Sequence, residues 1–238
     1  MHCRHAVPQH EGGSVKTIPK LLAFGLVEMV VFGAMLFFPA GTFKYWQAWV
    51  FLIVVAISAW APVVYLLRTD PAALQGRMRG GPTAEARTAQ KVAIAALYLS
   101  LATMVIVSVL DHRFSWSSVR TTACLVGDVL VALGLGVVAA VIIQNSYASS
   151  TVRVQADQKL VSTGLYGLVR HPMYTGNVIM MAGIPLALGS YWGLVFVVPG
   201  LIVLALRIRD EEKLLRDQLT GYRAYTQTVR YRLAPGMW

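Results

Sequence analysis

Tyr166, Arg170, His171 and Tyr174 fall within the short stretch Gly164–Gly176, immediately before a long apolar run. That set offers donors for an anion, a titratable ring and aromatic faces for a cation. Polar side chains held where a membrane helix begins are costly and read as a site by default. A second polar group, Arg207, Arg209, Asp210, Glu211 and Glu212, stands at the other end of the same apolar run. The competing interpretation is ordinary snorkelling charge at a bilayer surface. It weighs most for Arg207, Arg209 and Lys213, and least for His171, Tyr174 and the glutamate pair.

The elements that carry these residues follow from composition. The chain has 238 residues, 56% hydrophobic and only 13% charged, a mixture far more apolar than that of a globular domain. Apolar runs near 20–40, 45–67, 91–110 and 122–143 approach the roughly 20 residues that cross a bilayer, and a longer stretch covers 172–206. The net charge of +10 is no sign of nucleic-acid binding, because its distribution is topological. Lys44, Arg113 and Arg120 lie in loops on one side, and the remaining 18 of the 21 Lys and Arg lie on the other. This is the positive-inside bias of an integral membrane protein with both termini cytosolic, with added attraction to anionic lipid heads. A bacterial inner membrane is the expected location.

The stretch from Pro172 reads as a helical hairpin. Proline suits a helix's first turn, where its missing N–H is no loss. Pro172 to Gly189 gives a leg of about 27 Å, Gly189-Ser190-Tyr191-Trp192-Gly193 a turn, and a second leg returns to Arg207. The two polar clusters then converge at one membrane edge. The predicted fold is all-α, a polytopic transmembrane bundle with a C-terminal helical hairpin and cytosolic cofactor-binding loops. Its parts are a flexible tail over 1–18, four transmembrane helices over 19–143, and a catalytic region over 144–238.

Other residues draw structural readings. Cys3, His2 and His5 belong to the polar tail, and with Cys124 the only other cysteine, no disulfide framework is expected. Residues 1–18 are too polar for a signal peptide. Phe43, Tyr45, Trp46 and Trp49 read as interfacial aromatics, 68–90 as a cytosolic connector, and Thr151–Gln155 as a strand or extended loop. His112 lies on the opposite face from the main cluster, in a turn. Gly134-Leu135-Gly136 lacks the strand and spacing of a nucleotide fingerprint and suits close helix approach instead. Glu28, inside the first span, is expected to hydrogen-bond across helices or to line a lateral entry.

The C-terminal motifs resemble the isoprenylcysteine carboxyl methyltransferase family and related phospholipid N-methyltransferases. The resemblance rests on Gly164–Gly176 with its Arg170-His171-Pro172-Met173-Tyr174 core, then Leu188-Gly189-Ser190 and Glu211-Glu212-Lys213-Leu214-Leu215. Gly221-Tyr222-Arg223-Ala224-Tyr225 and Val229-Arg230-Tyr231-Arg232 through Pro235 complete it. It covers about residues 144–238; the first 143 share only hydrophobicity.

The resemblance implies S-adenosylmethionine as methyl donor, bound by Gly164, Tyr166, His171, Pro172, Tyr174, Glu211 and Glu212. Arg170, Arg207 and Glu211 are the implied catalytic residues, Arg170 and Arg207 (or Arg230) facing the acceptor or the donor carboxylate. The donor is a zwitterion carrying a sulfonium, so carboxylates, cationic donors and an aromatic face suit its different ends. In-line displacement gains chiefly from positioning, up to roughly 7–11 kcal/mol. A carboxylate or thiolate acceptor needs no base, whereas an amine would ask His171 or a glutamate to take its proton. The acceptor is expected to be a lipophilic small molecule or a lipidated group, with no metal and no nucleic acid. A prenylcysteine carboxylate, a thiol and a phospholipid amine stay open, as does an NADPH-dependent reductase of the sterol type, which shares an Arg-His-Pro-x-Tyr-like element. A small transporter is the non-enzyme alternative, disfavoured by the absence of an internal repeat.

Overall fold

The computed structural model describes residues 14–70, 74, 87–145, 160–236 and 238. The expectations for the Cys3 tail, for most of the 68–90 connector and for Thr151–Gln155 lie outside these residues.

Among the described residues the regular structure is helical, in the order α1 (Ser14–Ala40), α2 (Trp46–Thr69), α3 (Thr88–Phe114), α4 (Thr121–Gln144), α5 (Leu165–Leu168), α6 (Pro172–Ala187), a 3-10 turn (Trp192–Phe196), α7 (Val197–Gln218) and α8 (Tyr222–Thr228). Five of these segments are long and apolar enough to cross a membrane: Ala23–Ala40, α2, α3, α4 and Trp192–Gln218. The polytopic bundle expected from composition is therefore present. α6, with 16 residues, is about 24 Å long.

Three boundaries differ from expectation. α1 begins at Ser14, inside the segment read as a flexible tail, and continues through Pro19, a residue that removes one backbone bond of the helix interior. The hairpin's first leg ends at Ala187, where Gly189 turns the chain with φ +71°. The second leg does not stop at Arg207 but runs on to Gln218. Arg207, Glu211 and Glu212 thus stand on successive turns of a single helix.

The hairpin legs also lean away from each other. α6 packs along α4, and α7 packs against α3. Glycines explain the first pairing. A Cβ on Gly134 would sit 2.5 Å from the Gly176 carbonyl oxygen, and one on Gly127 would sit 2.2 Å from the backbone nitrogen of Ala187 and 2.8 Å from the Gly183 carbonyl oxygen. Gly127 and Gly134 on α4 thus meet Gly183 and Gly176 on α6 with their backbones in contact, as small residues permit between membrane helices. Gly136 meets nothing within 4 Å, so only the first glycine of Gly134-Leu135-Gly136 serves this purpose. The main core joins α1 to α4 and α6 through Leu36, Phe51, Met104, Val131, Ile184 and Leu188.

The end of the bundle remote from the candidate site is tied by Asp111, which is fully buried. It accepts from Ser190 Oγ (2.6 Å), Ser117 Oγ (2.5 Å) and Ser117 N (2.7 Å). Tyr45 departs from its interfacial reading: it is fully buried, donates to the Leu188 carbonyl (2.6 Å) and stacks on His112 at 3.7 Å. A phenol next to an orphan helix-end carbonyl gains more by that bond than by facing lipid heads. His112, read as part of a turn, lies instead within the last turn of α3. Glu28 makes no bond across helices: it is exposed on α1 and has no hydrogen-bond partner among the described residues.

Candidate active site

The segment after α4 is rebuilt as a clasp. Gly164 takes φ +57°, ψ −128°, a conformation open to glycine alone, and a Cβ there would also strike the Gln144 side chain at 2.3 Å. Gln144, the last residue of α4, accepts from Leu165 N (3.1 Å) and donates to the Thr163 carbonyl (2.5 Å). Asn145 donates to the Tyr166 hydroxyl (3.1 Å), and Tyr225 on α8 donates to the Tyr166 carbonyl (2.7 Å). Leu219, Tyr222, Tyr225 and Val229 form a small core with Leu160 and Leu215 beneath this clasp. Burial first, and the nearby carboxylates second, push the Tyr222 phenol well above its ordinary range, so it stays a neutral hydroxyl.

The C-terminal segment then folds back across the start of α6. Arg170 N donates to the Tyr231 carbonyl and His171 N to the Arg232 carbonyl, both at 2.9 Å. Thr175 Oγ1 donates to the Leu233 carbonyl at 2.6 Å, and Arg170 Nη2 to that of Arg230 at 2.9 Å. These bonds satisfy backbone groups around α6's first turn that the helix itself cannot. They also bring Arg232 over the end of α7.

Two constellations result. The first centres on Glu212, which is 2% exposed. Its carboxylate receives Arg170 Nη1 at 2.8 Å, Arg232 Nη2 at 3.0 Å and Arg216 Nη2 at 3.2 Å, with His171 Nε2 at 3.4 Å. Arg232 also lies over the Trp238 ring, 4.7 Å from its centroid. The second is a relay on the neighbouring face. Tyr174 donates its hydroxyl to Glu211 Oε2 at 2.6 Å and accepts from Arg207 Nε at 2.9 Å. Consecutive glutamates on α7 point about 100° apart, so Glu211 joins Tyr174 while Glu212 joins Arg170 and His171.

Sequence-distant residues therefore meet as expected: Arg170, His171 and Tyr174 with Arg207, Glu211 and Glu212. Pro172 is buried at α6's first position. Gly164 and Tyr166 sit apart from that meeting point, in the clasp below Gln144 and Asn145. Among the described residues, no group of three or more His, Cys, Asp or Glu is placed to hold a metal ion.

Two residues at this end escaped sequence reasoning. Arg87 and Gln90, at the start of α3, both donate to Asp210, at 2.6 and 2.5 Å. They fasten α3 to α7 across the hairpin's open side. A single glutamine ahead of an apolar run carries no mark of such a partner. Below this latch, α3, α6 and the Arg207 side chain enclose a cavity of about 250 Å³, lined by Leu97 and Tyr98, by Met173, Tyr174 and Asn177, and by Arg207 among others. The bonded Tyr174 and Arg207 side chains both line it.

Comparison with known proteins bears on the same half of the chain. Residues 122–220 match a family described as phospholipid methyltransferase, a span running from α4 to just short of α8. The chain is also similar to a probable 7-dehydrocholesterol reductase of Acanthamoeba polyphaga mimivirus, 35% identical over 86 residues. That similarity takes in 34% of this chain and 19% of the viral protein, so it spans about a fifth of that relative's length.

Proposed function

We propose that this chain is an integral membrane methyltransferase that uses S-adenosylmethionine and modifies a lipophilic acceptor, most closely a prenylcysteine-type carboxylate or a thiol. One observation carries the reading: the Tyr174 hydroxyl is bonded at once to Arg207 and Glu211 in the wall of a mostly apolar cavity. The match of residues 122–220 to a methyltransferase family supports it.

The residues present fit the donor. Bound S-adenosylmethionine supplies an electrophilic methyl group on a positively charged sulfur. Glu211 offers an acceptor for the donor's ammonium or ribose hydroxyls, and the stacked rings of His171 and Tyr174 offer faces to a cation. Glu212 is engaged by three guanidiniums; in this reading it positions Arg170 and His171 rather than touching the donor. Gly164 and Tyr166, apart from this meeting point, act only through the clasp that holds Tyr225 and α8 in place. Arg207 lines the cavity, so an anionic acceptor end, a carboxylate or thiolate, is held beside a guanidinium and out of water. An ammonium there would be repelled, which favours acid or thiol over lipid amine. The acceptor's lone pair would form the new bond to the methyl carbon as the methyl–sulfur bond breaks, its electron pair leaving on sulfur as the neutral thioether S-adenosylhomocysteine, and no proton need be removed from an acceptor already ionised.

The test is transfer of labelled methyl from the donor to a panel of prenylcysteines, thiols and lipid amines. Calorimetric binding of S-adenosylhomocysteine to wild type and to His171→Ala and Glu211→Ala accompanies it. Both variants are expected to lose binding while remaining folded; unchanged affinity in both would overturn the site. A second reading, an NADPH-dependent reductase, draws on the similarity to the viral sterol reductase. Binding of NADPH in place of S-adenosylhomocysteine would favour it.

A further inference from the structure

α6 presents two faces with different duties. Gly176 and Gly183 press against α4, while Met173, Asn177 and Met180 turn to the cavity shared with α3. On this second face Asn177 is anomalous. It stands one turn below Tyr174 and about 7.5 Å along the helix from Pro172, among methionine and leucine side chains. Among the described residues it has no hydrogen-bond partner. A carboxamide within the apolar part of a membrane helix normally bonds across to a neighbouring helix, and leaving its groups unmet is unfavourable. The opposite wall adds Tyr98, which is 57% exposed. The rest of the cavity's lower wall is aliphatic or thioether, which suits a chain of methylenes or isoprene units and adapts to its shape.

We infer that Asn177 is a specificity-determining residue that hydrogen-bonds a polar group, an amide, ester or hydroxyl, standing beside the methyl-accepting atom of an amphiphilic acceptor. This rests on the proposed function and narrows it. The accepting atom lies at Arg207 and Tyr174, the neighbouring polar group meets Asn177 one turn deeper, and the hydrocarbon continues along Leu97 and Met180. Small thiols and plain hydrocarbon-tailed acids lack the middle element and are disfavoured. A site that bonds a polar group discriminates against an analogue without it, because the partly buried Asn177 carboxamide is then left unmet.

The experiment uses two probes that differ only in that element: N-acetyl-S-farnesylcysteine and 3-(farnesylthio)propanoic acid, the same acid without the acetamido group. Dissociation constants are measured with purified full-length protein, saturated with S-adenosylhomocysteine, for wild type, Asn177→Leu and the milder Asn177→Ser. Wild type is expected to bind the acetamido compound at least tenfold more tightly. Asn177→Leu is expected to bring the two probes within about twofold, with S-adenosylhomocysteine affinity and melting temperature unchanged. Wild type that binds S-adenosylhomocysteine but shows no preference between the probes, or variants that keep the preference, would overturn the inference and leave the proposed function standing. Failure of wild type to bind S-adenosylhomocysteine would instead remove the reading on which it rests.

Discussion

Replacing Glu212 with alanine removes one carboxylate from beneath three guanidiniums and an imidazole. The loss is not uniform across its partners. Arg216 is 45% exposed, and a pair of that kind contributes roughly 0–1 kcal/mol. Arg170, only 7% exposed, cannot return to water without carrying the start of α6 with it. Removing one member of such a buried pair costs about 3–5 kcal/mol. That loss falls on the docking of residues 229–233, since Arg232 and the Arg170 contact to the Arg230 carbonyl hold this strap. The glycine interface between α4 and α6 is elsewhere and is expected to stay intact. At about 1.4 kcal/mol per tenfold, the lower figure predicts an open strap roughly 100-fold more populated. Trypsin cleavage at Arg230 and Arg232 in micelles reads that population when reclosing is fast, and amide exchange at Val229–Leu233 reads it independently. Glu212→Gln, which keeps shape and one acceptor oxygen, is expected to fall between. Cleavage and exchange within threefold of wild type in the alanine variant would refute the view that this carboxylate holds the C-terminal segment in place.

Gly127→Ala drives a methyl group into the backbone of Ala187 and is expected to lower the melting temperature in detergent by several degrees, as overpacking of about 1–3 kcal/mol would; Gly136→Ala, which meets nothing, is expected to be neutral or slightly stabilising. Tyr45→Phe leaves the Leu188 carbonyl unbonded at the remote end and is expected to cost about 1–3 kcal/mol in stability with S-adenosylhomocysteine affinity within twofold of wild type, measured by calorimetry.

The parts of this arrangement legible in the sequence are those carried by local pattern. The apolar runs, Pro172 at a helix start and the two polar clusters flanking a turn each follow from spacing alone, and so does the meeting of Arg170 and His171 with α7. What pattern leaves open is which face of a helix meets which neighbour. Glu211 and Glu212 look equivalent as a pair, yet one lies in the Tyr174 relay and the other beneath Arg170, a division set by how far α7 rotates about its axis. Tyr45 looks like its neighbours Phe43 and Trp46, and only the position of the Leu188 carbonyl, 143 residues on, assigns it to the interior. Asn177 is inconspicuous beside His171 and Tyr174 because its meaning depends on what does not surround it. Arg87 and Gln90 precede an apolar run and find their partner only when α3 and α7 are brought together.

The brevity of α6 has a consequence for the surrounding lipid. A helix about 24 Å long falls some 6 Å short of a typical hydrocarbon core. A bilayer meets such hydrophobic mismatch by thinning locally or by letting flanking polar groups sink. Either response would bring Tyr174, in the first turn of α6, towards the depth where acyl chains join their headgroups. A greasy reactant anchored by its tail can then present its polar end without being lifted out of the leaflet.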